Sequence, residues 1–116
     1  MYKYKATVER VVDGDTIDMT IDLGFKITTH QRIRLAKINT PETYNVKKDS
    51  EEYKKGMASK EFVIQRIEAN NNEVIIETDK LVGKYGRYIG TIYLADSNIT
   101  LNDELVQKGL AEYVSY

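Results

Sequence analysis

Apolar and polar residues alternate through the first third of the chain. Tyr4, Ala6 and Val8 fall on one face of an extended segment over residues 4–12, with Val11 or Val12 joining them around a bulge. Asp13-Gly14 is a hairpin signal. From residue 16 to residue 23 the alternation is clean: Ile17, Met19, Ile21 and Leu23 face one way, Thr16, Asp18, Thr20 and Asp22 the other. Gly24 marks the next reversal, and a third strand over 27–35 closes a meander. The period changes after Ser50, where Tyr53, Met57, Ile64 and Ile67 share a helical stripe with Val63 at its edge, about four turns long. Ser50 is a suitable N-cap, and Glu51 and Glu52 in the first turn suit the helix dipole. Asn70, Asn71 and Asn72 end this helix. Residues 73–78 and 88–94 read as a fourth and a fifth strand, joined by a basic, glycine-containing connection. Thr100 with Asp103 three residues on resembles a capping box, Leu101, Leu105 and Val106 supply an apolar face, and Gly109 stands where a terminating glycine belongs. A second, short helix follows.

Five short strands with one helix between the third and fourth, and a second short helix near the C-terminus, define a mainly β fold with α elements in the order of an OB-fold barrel. At 116 residues the chain is expected to form a single domain over 1–116, burying roughly two thirds of its unfolded surface. No repeat, linker or low-complexity tract interrupts it. With 17 Lys plus Arg against 18 Asp plus Glu, the net charge is −1. A polyanion would therefore be met by a local patch rather than a global field. The absence of cysteine excludes disulfides, cysteine nucleophiles and thiolate metal sites. The first residues contain no apolar leader, and no window approaches a membrane span. The expectation is a chain without membrane association, cytoplasmic or the trimmed form of an exported protein.

The chemistry concentrates in the stretch IRLAKINTPE, residues 33–42. Ile33 and Leu35 end a strand, with Ile38 out of phase, and Arg34 points away from them. Pro41 fixes its own φ and pushes Thr40 towards extended geometry, so the chain is expected to leave the strand stiffly. An arginine, an amide, a free carbonyl and a carboxylate within nine residues suit a cation and a phosphate. Each also has a plainer reading: Asp15 as a turn residue, Glu42 as a solvated loop carboxylate, Arg34 in a surface ion pair. His30, the only histidine, reads as a surface residue.

Three segments, VVDGDTI at 11–17, RLAKINTPE at 34–42 and KYGR at 84–87, with LVQKGLA at 105–111 behind them, resemble the staphylococcal nuclease (thermonuclease-like) family in order, spacing and residue type. The resemblance implies the OB-fold barrel and an endonuclease acting on single-stranded or frayed DNA and on RNA, with little sequence specificity and 3′-phosphate products. It implies a divalent cation, Ca2+ with Mn2+ or Mg2+ as alternatives, held by Asp15, Asn39 and the Thr40 carbonyl. It gives Glu42 the role of general base and Arg34 and Arg87 that of phosphate clamps. Lys84 and Tyr85 would meet a terminal phosphate, and Tyr113 and Tyr116 a base. Asn39 departs from the family's aspartate, which implies weaker cation binding or a changed metal preference. The family's best-known members continue past this point into a third helix. Two other functions stay open: a non-catalytic OB module binding single-stranded nucleic acid, and a protein-interaction domain.

Overall fold

The computed structural model describes residues 2–44, 46–82 and 88–114. Its elements are β1 (Tyr2–Asp13), β2 (Thr16–Asp22), β3 (Thr28–Leu35), β4 (Ile38–Asn39), α1 (Glu51–Glu68), β5 (Glu73–Val82), β6 (Tyr88–Tyr93), α2 (Leu101–Gln107) and β7 (Glu112–Tyr113). Five of the strands close into a barrel in the order β1-β2-β3-β6-β5, and β4 pairs with β7 beside it. The barrel neighbours are antiparallel except β3 and β6, which run parallel with Ile33 opposite Tyr88 and Leu35 opposite Gly90. This is the five-stranded OB arrangement that the alternation predicts.

The inward faces make the core. Ile17, Met19 and Ile21 of β2, Ile33 and Leu35 of β3, Val74 and Ile76 of β5, and Ile92 of β6 are buried. Val63 and Ile67 of α1 and Leu101 and Leu105 of α2 complete it. Both helix starts follow from their caps: the Ser50 hydroxyl accepts from the Tyr53 N–H at 3.1 Å, and the Thr100 hydroxyl from the Asp103 N–H at 3.1 Å. Among the described residues no helix is long and apolar enough to cross a membrane.

Three local expectations are corrected. β5 runs on to Val82, so residues 79–82 continue a strand instead of opening the connection. Leu23 lies outside β2 and is 43% exposed. The buried positions of α1 are Gly56, Ser59, Val63 and Ile67, while Met57 is 37% exposed. Half of that face is small residues at close approaches, which a search for large apolar side chains passes over.

Arg66 binds the helices together. Its Nε donates to Glu104 Oε1 at 2.7 Å, and its Nη2 and Nη1 donate to Asp96 at 2.6 and 2.9 Å. The Arg66 hydrogen bonds hold the Asp96 carboxyl down at about 2. Arg66→Gln is expected to cost about 1–3 kcal/mol, because Glu104 keeps its charge and loses its cation with only 12% of its side chain exposed. The readout is a lowered denaturant midpoint at constant slope. A depressed carboxyl pKa stabilises the fold above the unfolded value, so Asp96's share of the effect fades as pH falls towards about 2.

Candidate active site

The segment bearing Asn39 to Glu42 is not a direct extension of β3, contrary to the expected stiff exit. A turn intervenes at Ala36–Lys37, with Lys37 at φ +61. Ile38 then pairs with Tyr113 and Asn39 with Glu112. The out-of-phase Ile38 was the signal for this second strand. The buried Asn102 of α2 fixes the turn: its Nδ2 donates to the Ala36 carbonyl at 3.0 Å, and its Oδ1 accepts from the Ile92 N–H at 3.1 Å.

The β1–β2 turn meets this segment from the other side. Asp15 uses its backbone carbonyl to accept from the Leu35 N–H at 2.8 Å. Its carboxylate accepts from the Thr40 N–H at 3.2 Å and the Thr16 hydroxyl at 3.1 Å. Gly14 does not have a positive φ, so its role differs from that of a left-handed hairpin glycine. A Cβ there would lie 2.8 Å from Ser59 Cβ and 3.1 Å from Thr40 Cγ2. Glycine is needed because α1 and Thr40 press against the turn.

Arg34 is half-buried between these elements. It donates to the Leu35 carbonyl at 2.9 Å and to Asn39 Oδ1 at 3.2 Å, and its Nη2 stands 3.3 Å from Asp15 Oδ2. Glu42 sits in an acidic field. Desolvation raises its carboxyl above the ordinary value, and Asp15, Asp13 and Glu52 add to the rise while Arg34 opposes it. Asp13 in turn accepts from the Thr43 hydroxyl. A cleft of about 530 Å³ opens behind the segment, lined by Asn39, Thr40, Glu42, Lys55 and Ser59 among others.

Asp15, Arg34, Asn39 and Thr40 are thus joined by two hydrogen bonds and an ion pair, with Glu42 two residues further on. Tyr113 is 60% exposed on β7, and its hydroxyl donates to Asp103 Oδ1 at 2.9 Å. Arg87, Lys84, Tyr85 and Tyr116 lie outside the described residues. Asp13, Glu52, Gly56, Ser59 and Asn102 were not legible as site residues. Asp13 carried a signal in the DGD triplet, whereas the other four depend on contacts distant in sequence.

A hard cation wants several oxygens. The donors here are all oxygen: the Asp15 carboxylate, the Asn39 amide, and Thr40, whose Oγ1 is buried without a partner among the described residues. In kind they fit such an ion. In charge they are sparse, since no group of three or more acidic or histidine side chains at ligating distance occurs among the described residues. Arg34 already occupies part of the Asp15 and Asn39 oxygens.

An OB barrel whose rim joins an arginine, buried oxygens and a carboxylate of raised pKa belongs to the class of barrels that carry a polar site on their loops. The family model described as staphylococcal nuclease homologue matches residues 32–116, and the chain belongs to that family. It is 34% identical over 110 residues to a thermonuclease of Staphylococcus intermedius, covering 94% of this chain and 59% of that protein. It is 28% identical over 112 residues to endonuclease YhcR of Bacillus subtilis, covering 94% of this chain and 9% of that protein. An uncharacterized protein of Methanocaldococcus jannaschii is 31% identical over 132 residues, covering 97% and 60%. The chain therefore spans about three fifths of two of these relatives and under a tenth of the third.

Proposed function

We propose that this domain hydrolyses phosphodiester bonds in DNA or RNA with the help of a divalent cation. The observation that carries the reading is that hydrogen bonds and an ion pair gather Asp15, Arg34, Asn39 and Thr40 at one place, with Glu42, its carboxyl raised by burial and nearby acids, two residues further on. Glu42 would take a proton from a water whose oxygen forms the new P–O bond as the bond to the leaving oxygen breaks. Arg34 is oriented before substrate arrives by the Leu35 carbonyl and Asn39. Its planar fork would grip phosphate oxygens and offset the charge that grows on them. Arg87 would supply the second guanidinium, as the family resemblance implies, with Lys84 and Tyr85 steadying a neighbouring phosphate and Tyr113 and Tyr116 a base. Asp15, Asn39 and the Thr40 carbonyl would hold the cation, Ca2+ or else Mn2+ or Mg2+. When bound, it supplies Lewis-acid polarisation of the phosphoryl oxygens.

The test is cleavage of a fluorescent single-stranded oligonucleotide with calcium, manganese or magnesium, and with chelator. Cutting that requires the ion is expected. Asn39→Asp returns a full charge to the cation oxygens, which at about 4 Å and an intermediate dielectric is worth at most about 4 kcal/mol. Arg34 competes for the new carboxylate, so the expected gain in divalent affinity by calorimetry is about tenfold, about 1.4 kcal/mol. No divalent binding in either protein, with nucleotide present and no cleavage, would sink the reading.

A further inference from the structure

The outer face of β3 carries a row of side chains that starts at Arg34 and runs on beyond the candidate site. Ile33 and Leu35 take the inward positions. Arg34, Arg32, His30 and Thr28 therefore share the outward face, with successive members about 6.8 Å apart. Arg32 Nε and Nη2 donate to Asp18 at 2.7 and 3.1 Å, but Nη1 has no partner among the described residues, and 49% of the side chain is exposed. Across the sheet Arg10 pairs with Asp18 and Asp18 with Arg32, so this rung has two cations to one anion. On the next rung His30 Nδ1 meets Glu9 Oε1 at 2.5 Å.

The row leads to the β2–β3 tip. There Gly24, Phe25 and Lys26 take φ values of +84, +55 and +64. Phe25 is 97% exposed, and Leu23 and Ile27 beside it are 43% and 57% exposed. A left-handed backbone is strained for phenylalanine, and such turns favour asparagine and glycine. The ring returns no burial to the fold in exchange. A strained and fully solvated aromatic beside a lysine has the makeup of a base-stacking platform.

We infer that a single-stranded nucleic acid leaving the Arg34 site runs along the outer face of β3, with Arg32 Nη1 on a backbone phosphate and Phe25 stacked on a base. Arg34 and Thr28 stand six positions apart, about 20 Å of strand. That length suits about four nucleotides, the low end of OB-fold site sizes. Three features select this occupant over a protein or lipid surface. The row begins at the proposed phosphate site, its two arginines, Arg34 and Arg32, stand at alternate positions of one strand, and the aromatic stands at its far end. The inference rests on the nuclease reading and extends its substrate contacts.

The experiment measures fluorescence anisotropy of the Glu42→Gln chain with a labelled dinucleotide and a labelled decanucleotide at two salt concentrations, alone and combined with Phe25→Ser or Arg32→Gln. Both added changes are at the surface, and matched circular dichroism checks the fold. The decanucleotide is expected to bind at least tenfold tighter than the dinucleotide. Phe25→Ser should remove about five- to tenfold of that advantage. Arg32→Gln should lower the salt slope by about 0.7. Neither should alter dinucleotide affinity. If the length advantage is absent or survives both changes while the parent chain still cuts, the inference falls and the nuclease reading stands. If neither oligonucleotide binds and the parent does not cut, both fall. If Phe25→Ser changes only self-association or binding to anionic vesicles, the tip serves a protein or lipid contact and the inference is overturned.

Discussion

Glu42→Gln is expected to lower kcat on a single-stranded oligonucleotide by about 10²- to 10⁴-fold, the range for loss of a positioned general base, with KM little changed. Glutamine keeps the shape and cannot take the proton. The same substitution is expected to raise thermal stability at neutral pH. Partial desolvation and the charges of Asp15, Asp13 and Glu52 push the Glu42 carboxyl up. A raised carboxyl pKa means that the folded state disfavours the ionised form. Ionised Glu42 therefore opposes folding at pH above its folded pKa and ceases to do so once protonated. The melting advantage of Glu42→Gln, measured in chelator so that only the protein's own charges act, should be present near pH 7 and vanish at acid pH. The parent's cleavage rate should fall as pH drops through a value raised above that of an ordinary glutamate. A kcat within twofold of the parent would remove Glu42 from the chemistry and leave it a solvated carboxylate.

The barrel was legible because its code is local. Alternation over residues 16–22 and 28–35 fixes which side chains turn inward, and Ser50 and Thr100 cap the helices with bonds to residues three positions on. The candidate site was legible as a cluster to the extent that it is written in consecutive residues. Arg34, Asn39, Thr40 and Glu42 fall in one stretch, and the turn after β1 brings Asp15 to it. What escaped is pairing between distant segments. β4 and β7 have two residues each, too short for any period to register. Gly14 looked like a turn glycine because Asp-Gly is a strong hairpin signal, whereas the pressure on it comes from Ser59, far along the chain. Asn102 reads as a polar residue in a short helix. Only the fold brings its amide to Ala36, Gly90 and Ile92, where it determines how the site segment leaves the barrel.

Gly56→Ala is expected to reduce kcat/KM by about 10²-fold while leaving the chain folded. In an ordinary helix interior this change is favourable by about 0.5–1 kcal/mol. Here a Cβ would stand 2.7 Å from the Pro41 carbonyl oxygen, 2.7 Å from Thr43 Cγ2 and 3.0 Å from the Glu42 carbonyl oxygen. Two of those three atoms are backbone and cannot swing aside. α1 is held in place by Val63 and Ile67 in the core and by the Ser59 hydroxyl, which donates to the Leu110 carbonyl at 2.6 Å. Pro41 cannot absorb the displacement in φ. The segment carrying Glu42 therefore has to move against its Thr40–Asp15 hydrogen bond. A displacement of about 1 Å at a catalytic group costs about 10²-fold in rate, and the overpacking itself costs about 1–3 kcal/mol, against the helix-propensity gain. Met57→Ala, one position along and 37% exposed, is the control and should leave the rate unchanged. If Gly56→Ala instead raises stability by its helix propensity and cuts at the parent rate, α1 is yielding and the position of Glu42 is set elsewhere.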